Sequence, residues 1–337
     1  MKKSVFIGFL CLSLILGSFS AFGQVPKNIS DLQDGVAAFS KSLAKSLPFN
    51  ASMGLNWSDA YVGKILPSVP PHFGVGVSLG VTTIEMKPMK KITQFMGFNS
   101  LGTSFDNLYF PAYAAEARIG GFFLPFDIGI KYGTMPTVSM PLASVDFDYS
   151  MFGVDLRYAL MEQSLIKPNI SIGLGFSYMT GGLGAKVGTG MSMEMTDPVS
   201  GTPYTIGLSA PKIGLVWDTK VFELKAQISK SLLIITPYAG IGASYSWSNA
   251  GYEVKTQLTG DITHFDDINA ALKAAGQKPI VFDAATGISS KENVTGWGLR
   301  AFGGLSLNVV LIKFDFTMMI NLLDMSYGGQ LGIRFQL

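Results

Sequence analysis

Residues 326–337 read Ser-Tyr-Gly-Gly-Gln-Leu-Gly-Ile-Arg-Phe-Gln-Leu. Tyr327, Gly329, Leu331, Ile333, Phe335 and Leu337 share one face, and Gly328, Gln330, Gly332, Arg334 and Gln336 share the other. Side chains alternate across a strand, so the stretch is a strand with one apolar and one polar face. A soluble domain seldom finishes on so regular an alternation. A membrane barrel closes by pairing its last strand with its first, so the fold class implied is all-β, a transmembrane antiparallel β-barrel. The final residue is Leu337 where assembly signals often carry an aromatic, and Phe335 stands two places earlier.

Working backwards, the same period recurs. Ile312, Phe314, Phe316, Met318 and Ile320 share a face, as do Trp297, Leu299, Ala301 and Leu305. Further segments are Ala239 to Tyr245, Phe222 to Ile228, Ile170 to Tyr178, Phe126 to Tyr132, Ala115 to Phe123 and Phe73 to Val81. Val154, Leu156 and Tyr158 form another. The preceding apolar set Phe147, Tyr149 and Met151 is one residue out of phase, which predicts a β-bulge near Phe152.

Short connections fall near Leu124-Pro125, Glu162 to Lys167, Ser229 to Ser231 and Leu307-Asn308. Long ones cover about 85–110, 135–144, 181–211 and 250–292. Bacterial barrels carry short periplasmic turns and long external loops, so each strand acquires a direction. The strand from Phe73 then runs outward. Ala51, Met53, Leu55 and Trp57 therefore belong to an N-terminal plug, or a strand is hidden in 85–110. A hairpin hidden in 181–211 would add two strands more. The count is about 10–14, with 12 in the middle.

At the start of the chain, Lys2 and Lys3 precede an apolar run from Val5 to Gly17, and Ala21-Phe22-Gly23 offers a cleavage pattern. Residues 1–23 read as a signal peptide. Cys11, the chain's one cysteine, lies inside it, so the mature chain has no thiol chemistry and no disulfide. Residues 24–48 form an amphipathic segment, with Leu32, Val36, Phe39, Leu43 and Leu47 at helical spacing before Pro48. This helix lies in the lumen as a plug or rests on the periplasmic mouth. Residues 49–337 are then the outer-membrane barrel. A second short helix, Asp266 to Ala275, decorates the longest loop.

Composition agrees. Charged residues make up 14% of the chain, aromatics 12%, and 39 residues are glycine. Mean hydropathy is positive, yet after the leader no run approaches the roughly 20 apolar residues of a membrane helix. A net charge of +2 gives no case for nucleic acid.

The inward phase carries the most specific chemistry. Glu116 and Arg118, Asp127 and Lys131, Asp155 and Arg157, Glu223 and Lys225, and Lys313 and Asp315 all fall on it, with Arg300 and Arg334. Charge facing lipid costs roughly 2–4 kcal/mol at the midplane, so these groups belong in the lumen. Each pair is close to a short turn, so together they form a charge belt in the periplasmic half. The belt either narrows the lumen and grips the helix, or fills the interior with paired charge for stability. Higher up, Gly173, Gly175, Ser177, Gly240, Gly242, Ser244, Gly74, Gly76, Ser78 and Thr82 are small. They suggest a roomy external vestibule.

Other chemistry is weakly signalled. His72 and His264 are the two histidines and stand far apart, so neither a metal site, a cofactor site nor a hydrolase triad assembles. The chain is not read as an enzyme. The run Met191 to Met195 could contact an apolar ligand, although loop packing is the commoner explanation.

Several short stretches carry a resemblance. They are Gly54-Leu55-Asn56-Trp57, His72-Phe73-Gly74-Val75, Tyr109-Phe110-Pro111-Ala112, and Ser229-Lys230-Ser231 leading to Thr236-Pro237-Tyr238-Ala239-Gly240-Ile241-Gly242. Through them the chain resembles an uncharacterised outer-membrane barrel family of Bacteroidetes and spirochaetes, and loosely the long-chain fatty acid transporter class. The resemblance implies a bacterial outer-membrane location. The partners would be outer-membrane lipid, the barrel-assembly machinery and a small hydrophobic solute. Two functions are expected to compete: a gated or plugged channel for small solutes, and a closed barrel displaying its long loops for adhesion.

Overall fold

A computed structural model describes residues 29–66, 68, 71–85, 107–140, 145–186, 191–196, 203–208, 212–255, 258–259, 282–283 and 287–337. The leader expected at 1–23 and the helix expected at Asp266 to Ala275 lie outside these residues. Helix α1 (Ile29–Ala51) is followed by an irregular stretch and then by strands. These are β1 (Phe73–Glu85), β2 (Asn107–Gly120), β3 (Phe126–Met140), β4 (Val145–Met161), β5 (Asn169–Lys186), β6 (Met191–Thr196) and β7 (Pro203–Leu208). Next come β8 (Lys212–Ser229), β9 (Ile235–Lys255), β10 (Leu258–Thr259), β11 (Phe282–Asp283), β12 (Gly287–Val309), β13 (Ile312–Asn321) and β14 (Tyr327–Gln336).

Ten strands close into an antiparallel barrel in the order β12, β13, β14, β1, β2, β3, β4, β5, β8, β9, with β9 returning to β12. The terminal strand pairs with the first from Gly74–Gln336 to Thr82–Gly328. Closure gives every wall strand a partner on each side, as a barrel in lipid requires. Outward positions such as Val75, Val77, Leu79, Leu331 and Ile333 are exposed and apolar, and form the lipid-facing band.

The count of ten sits at the low edge of the expected range, below the middle guess. The hairpin suspected in 181–211 exists as β6 and β7. It joins β10 in a separate three-stranded sheet at the long-loop end instead of widening the barrel. The segment around Trp57 is not a strand, so the parity problem resolves in favour of a plug. Residues 49–66 go with α1, and the barrel proper begins at Phe73, which corrects the boundary placed at 49.

Two further expectations change. No bulge forms at Phe152, because β4 keeps one inward phase through Phe147, Tyr149, Met151, Gly153, Asp155 and Arg157. The register shifts lie instead in β3, between Met135 and Val138, and at Ala159/Met161. The phase argument failed because it assumed that apolar side chains face lipid. Here Phe147, Tyr149 and Met151 face inward and are buried. The last turn also moves, to Val310-Leu311, since β12 pairs β13 as far as Val309–Ile312.

The wall is uneven. β9 and β12 are 21 and 23 residues long, while β13 and β14 have 10 each. β2 and β3 pair only from Ala115–Tyr132 to Gly120–Asp127. Above that, Pro111 and Pro136 bring no N–H to the seam.

Candidate functional site

The chain enters the lumen at the long-loop end and leaves it at the short-turn end. Near the top, the Ser42 hydroxyl donates to the Glu85 carbonyl at 3.1 Å. Leu43, Ala44, Leu47 and Phe49 of α1 join one buried apolar cluster with Ile84, Phe110, Phe147, Tyr149, Met179, Leu183 and Trp217 of the wall. Phe110 meets Trp217 edge-on, with ring centres 5.3 Å apart. Phe39 is buried too. The side chains of Leu32 and Val36 lie outside the described residues.

The helix carries on through Pro48 to Ala51, and Asn50 Nδ2 donates to Thr82 Oγ1 at 2.9 Å and to the Phe110 carbonyl at 3.2 Å. Past the helix end at Ala51, Gly54 and Leu55 take left-handed φ values of 81° and 57°, which turns the chain down the axis. A Cβ on Gly54 would also stand 2.9 Å from the Lys131 side chain, so glycine suits both the φ and the space.

Ser52 to Val62 descends through the charge belt, and the belt holds its backbone. Lys131 Nζ donates to the carbonyls of Ala51 and Met53 at 2.7 and 2.5 Å, and Arg157 Nη1 to that of Asp59 at 2.6 Å. Gln227 Nε2 donates to the carbonyls of Trp57 and Ser58. In the reverse sense, the Val62 amide donates to Asp127 at 3.0 Å, the Ala60 amide to Ser229 Oγ at 2.9 Å, and the Gly54 amide to Gln330 Oε1 at 2.9 Å.

Trp57 is the centre of the clamp. Its Nε1 donates to Glu116 Oε2 at 2.6 Å, and Ser78 donates to the other oxygen. Arg334 and Arg118 lie 4.6 and 5.6 Å from its ring centres, cations over an aromatic face. Below it, Asp59 accepts from Lys313 at 2.7 Å and Arg334 at 2.8 Å. Asn56 Oδ1 takes a bond from Arg300 Nη2 at 3.1 Å.

All twelve belt residues face the lumen, but they pair across strands and with the plug instead of along single strands. Arg118 reaches Asp127 at 2.5 Å and Asp155 at 2.6 Å, and Arg157 reaches Asp127 at 2.9 Å. Lys225 pairs with Asp155, and Arg300 with Glu223, both at 2.5 Å. Arg334 meets Asp315 at 2.9 Å. Arg157 and Asp127 oppose one another directly, while Arg118 reaches Asp155 over Gly129 and Arg300 reaches Glu223 over Gly242, where the strand between brings no side chain.

Seven cations of the belt meet five carboxylates, and Asp59 adds a sixth. Carbonyls of the plug supply further acceptors to Lys131, Arg157 and Lys225, so part of the belt's bonding exists only with the plug in place. Sequence reading missed Asn56, Ser58 and Asp59. Their one signal was their place beside Trp57, in a stretch whose alternation of Ala51, Met53, Leu55 and Trp57 reads as strand-like.

The small inward residues do not make a vestibule. A Cβ on Gly74 would lie 2.9 Å from Trp57, one on Gly240 would collide with Phe302 and one on Gly242 with Glu223. Their missing side chains leave the space that plug, belt and Phe302 fill. Within the lumen a cavity of about 20 Å³ touches Gly54, Lys131, Asp155 and Lys225, room for about one water, and another of about 60 Å³ lies between Phe49 and Ser52 of the plug and Ser244, Ser246 and Arg300 of the wall. A larger one, about 350 Å³, opens at the top between Ser42 and Lys45 of α1 and Glu85, Asn107 and Tyr327 of the rim.

Among solved structures, the chain is similar to the attachment invasion locus protein Ail of Yersinia pestis, at 11% identity and a TM-score of 0.25, covering 79% of this chain and 97% of that one. It is similar to the toluene transporter TbuX of Ralstonia pickettii at 10% identity and a TM-score of 0.24, covering 79% and 88%. The transport unit of the autotransporter AIDA-I from Escherichia coli matches at 8% identity and a TM-score of 0.27, covering 89% and 99%. Among curated proteins none matches significantly. The sequence pattern of one family matches residues 67–337, the whole barrel from its first strand to its last, and the chain belongs to that family, described as Lsa36-like.

Proposed function

We propose that this protein is a bacterial outer-membrane barrel closed by its own N-terminal segment, serving as a scaffold that holds its long external connections for a partner outside the cell. The observation that carries the reading is the completeness of the plug. One continuous segment is packed into an apolar core above and held by buried charge below, and the cavities between plug and wall are small, about 20 and 60 Å³. Lipid and, during insertion, the assembly machinery are the partners this reading requires. No catalytic role or cofactor is part of it.

The external connections are those near 85–110, 181–211 and 250–292, the last two contributing the β6–β7–β10 sheet. A second reading, a passage for small apolar solutes, draws on the unpaired upper seam between β2 and β3, which sets lipid beside the apolar upper core. The resemblance to fatty acid transporters points the same way.

Planar-bilayer recording separates the two. The intact protein should pass no current, and a steady conductance from it would overturn the closed-scaffold reading. Removing residues 24–48 should leave a heat-modifiable barrel. Solute flux that requires this segment to move, not merely to be absent, would favour the passage.

A further inference from the structure

We infer that the turns at the short-turn end of the barrel are lipid anchors, with their tips immersed in the adjoining phospholipid leaflet. Turns held in water are built from Gly, Asn, Asp and Ser. Here the β8–β9 turn is Leu233-Ile234 and the β12–β13 turn is Val310-Leu311, each closing a two-residue hairpin. Leu165 and Ile166 tip the β4–β5 turn, and Phe123 tips the β2–β3 turn. Leu233, Leu165 and Val310 are 98%, 96% and 92% exposed, far beyond the lipid-facing residues of the strands.

The backbone gives a second reason. Phe123, Leu233 and Val310 adopt left-handed φ values of 62°, 54° and 57°. That region is strained for any residue with a Cβ and most of all for β-branched valine. Glycine or asparagine would relieve the strain, so the side chains have a task the turn itself does not set.

Continuity with the lipid-facing band identifies the occupant. Leu305, Leu307 and Val309 lead into the Val310-Leu311 turn, and Ile312 and Phe314 lead out of it, all exposed or nearly so. The ten residues of β13 extend about 34 Å along the strand, which a tilt of about 40° reduces to about 26 Å along the membrane normal. An apolar band of about 25 Å is thereby used up, so the tips lie at the boundary with the headgroups. A short connection at the opposite end, between β13 and β14, shows the same device: Met325 has a φ of 58° and is exposed beside Leu322 and Leu323. A protein docked at one end would not account for both. Lys230 Nζ donates to the carbonyls of Ser164, Leu165 and Lys167 at 2.6, 2.9 and 3.0 Å, so the β4–β5 tip is presented on a preformed turn.

The test uses single cysteines at Leu165, Leu233 and Val310 in a Cys11→Ser background, each carrying a nitroxide. The full chain is folded into vesicles of phosphatidylethanolamine and phosphatidylglycerol, and heat-modifiable migration confirms the barrel. Lys167→Cys, in an exposed position of the same turn as Leu165, serves as the wet reference. At the three tips, relaxation by oxygen relative to a water-soluble nickel chelate should exceed the reference several-fold. Tips as open to nickel as position 167 would overturn the inference. So would protection that appears only at high protein-to-lipid ratio, since that marks contact with a second copy.

Discussion

The lower and upper halves of the lumen hold the same segment by opposite means. Below Gly54, the plug is an extended chain gripped by polar side chains of the wall: Arg157 and Gln227 reach its carbonyls, and its Trp57 and Asp59 meet Glu116, Lys313 and Arg334. Above Gly54, it is a helix whose Leu43, Leu47 and Phe49 pack on Phe110, Phe147 and Trp217. A helix satisfies its own backbone and offers the wall only side chains. An extended chain leaves its amides and carbonyls open, and in a buried lumen they need partners. The charge belt therefore lies where the plug is not helical.

The largest effect should come from the belt. Asp127→Ala leaves Arg118 and Arg157 without a shared acceptor and frees the Val62 amide. Loss of one partner of a buried ionic network costs about 3–5 kcal/mol, to be measured by urea unfolding of the barrel in lipid vesicles. A loss under about 1 kcal/mol would mean that the belt merely fills space.

In the upper half, Leu47→Ala removes a fully buried side chain of the plug and should cost about 3 kcal/mol by the same measurement. It should leave the protease resistance of residues 52–62 intact if the two halves are held independently. Trp57→Phe keeps the ring between the two arginines but removes the donor to Glu116, with an expected loss of about 2 kcal/mol. Asn50→Ala, at the junction of the halves, should cost about 1 kcal/mol, because one amide with two acceptors is lost. Smallest of all should be the effect of molar salt. Buried pairs escape screening, so the unfolding midpoint should stay in place, whereas a clear fall would show that water reaches the belt.

The lower half was legible because its wall obeys one rule. Glu116, Arg118, Asp155 and Arg157 alternate with apolar neighbours, and lipid forbids the opposite phase. The upper half defeated the same rule. Phe147, Tyr149 and Met151 look lipid-facing by composition and turn inward because α1 gives them an apolar partner. The glycines misled for a related reason: a missing side chain says that space is needed, not what occupies it. Trp57, Phe302 and Glu223 fill what was read as a vestibule. Asn56 and Asp59 were hidden beside a strand-like alternation, since an extended plug has neither a lipid face nor a helix face to mark them.

The amino-acid sequence alone specified a closed barrel, the direction of its strands and the charged residues that face inward. Alternation is a local property, written in each strand by the difference between lipid and lumen. Which carboxylate each cation meets, the path of residues 49–66 and the closing of the lumen were settled by the fold. Asp59 lies 275 residues from Arg334 along the chain, and only barrel closure brings them within 2.8 Å.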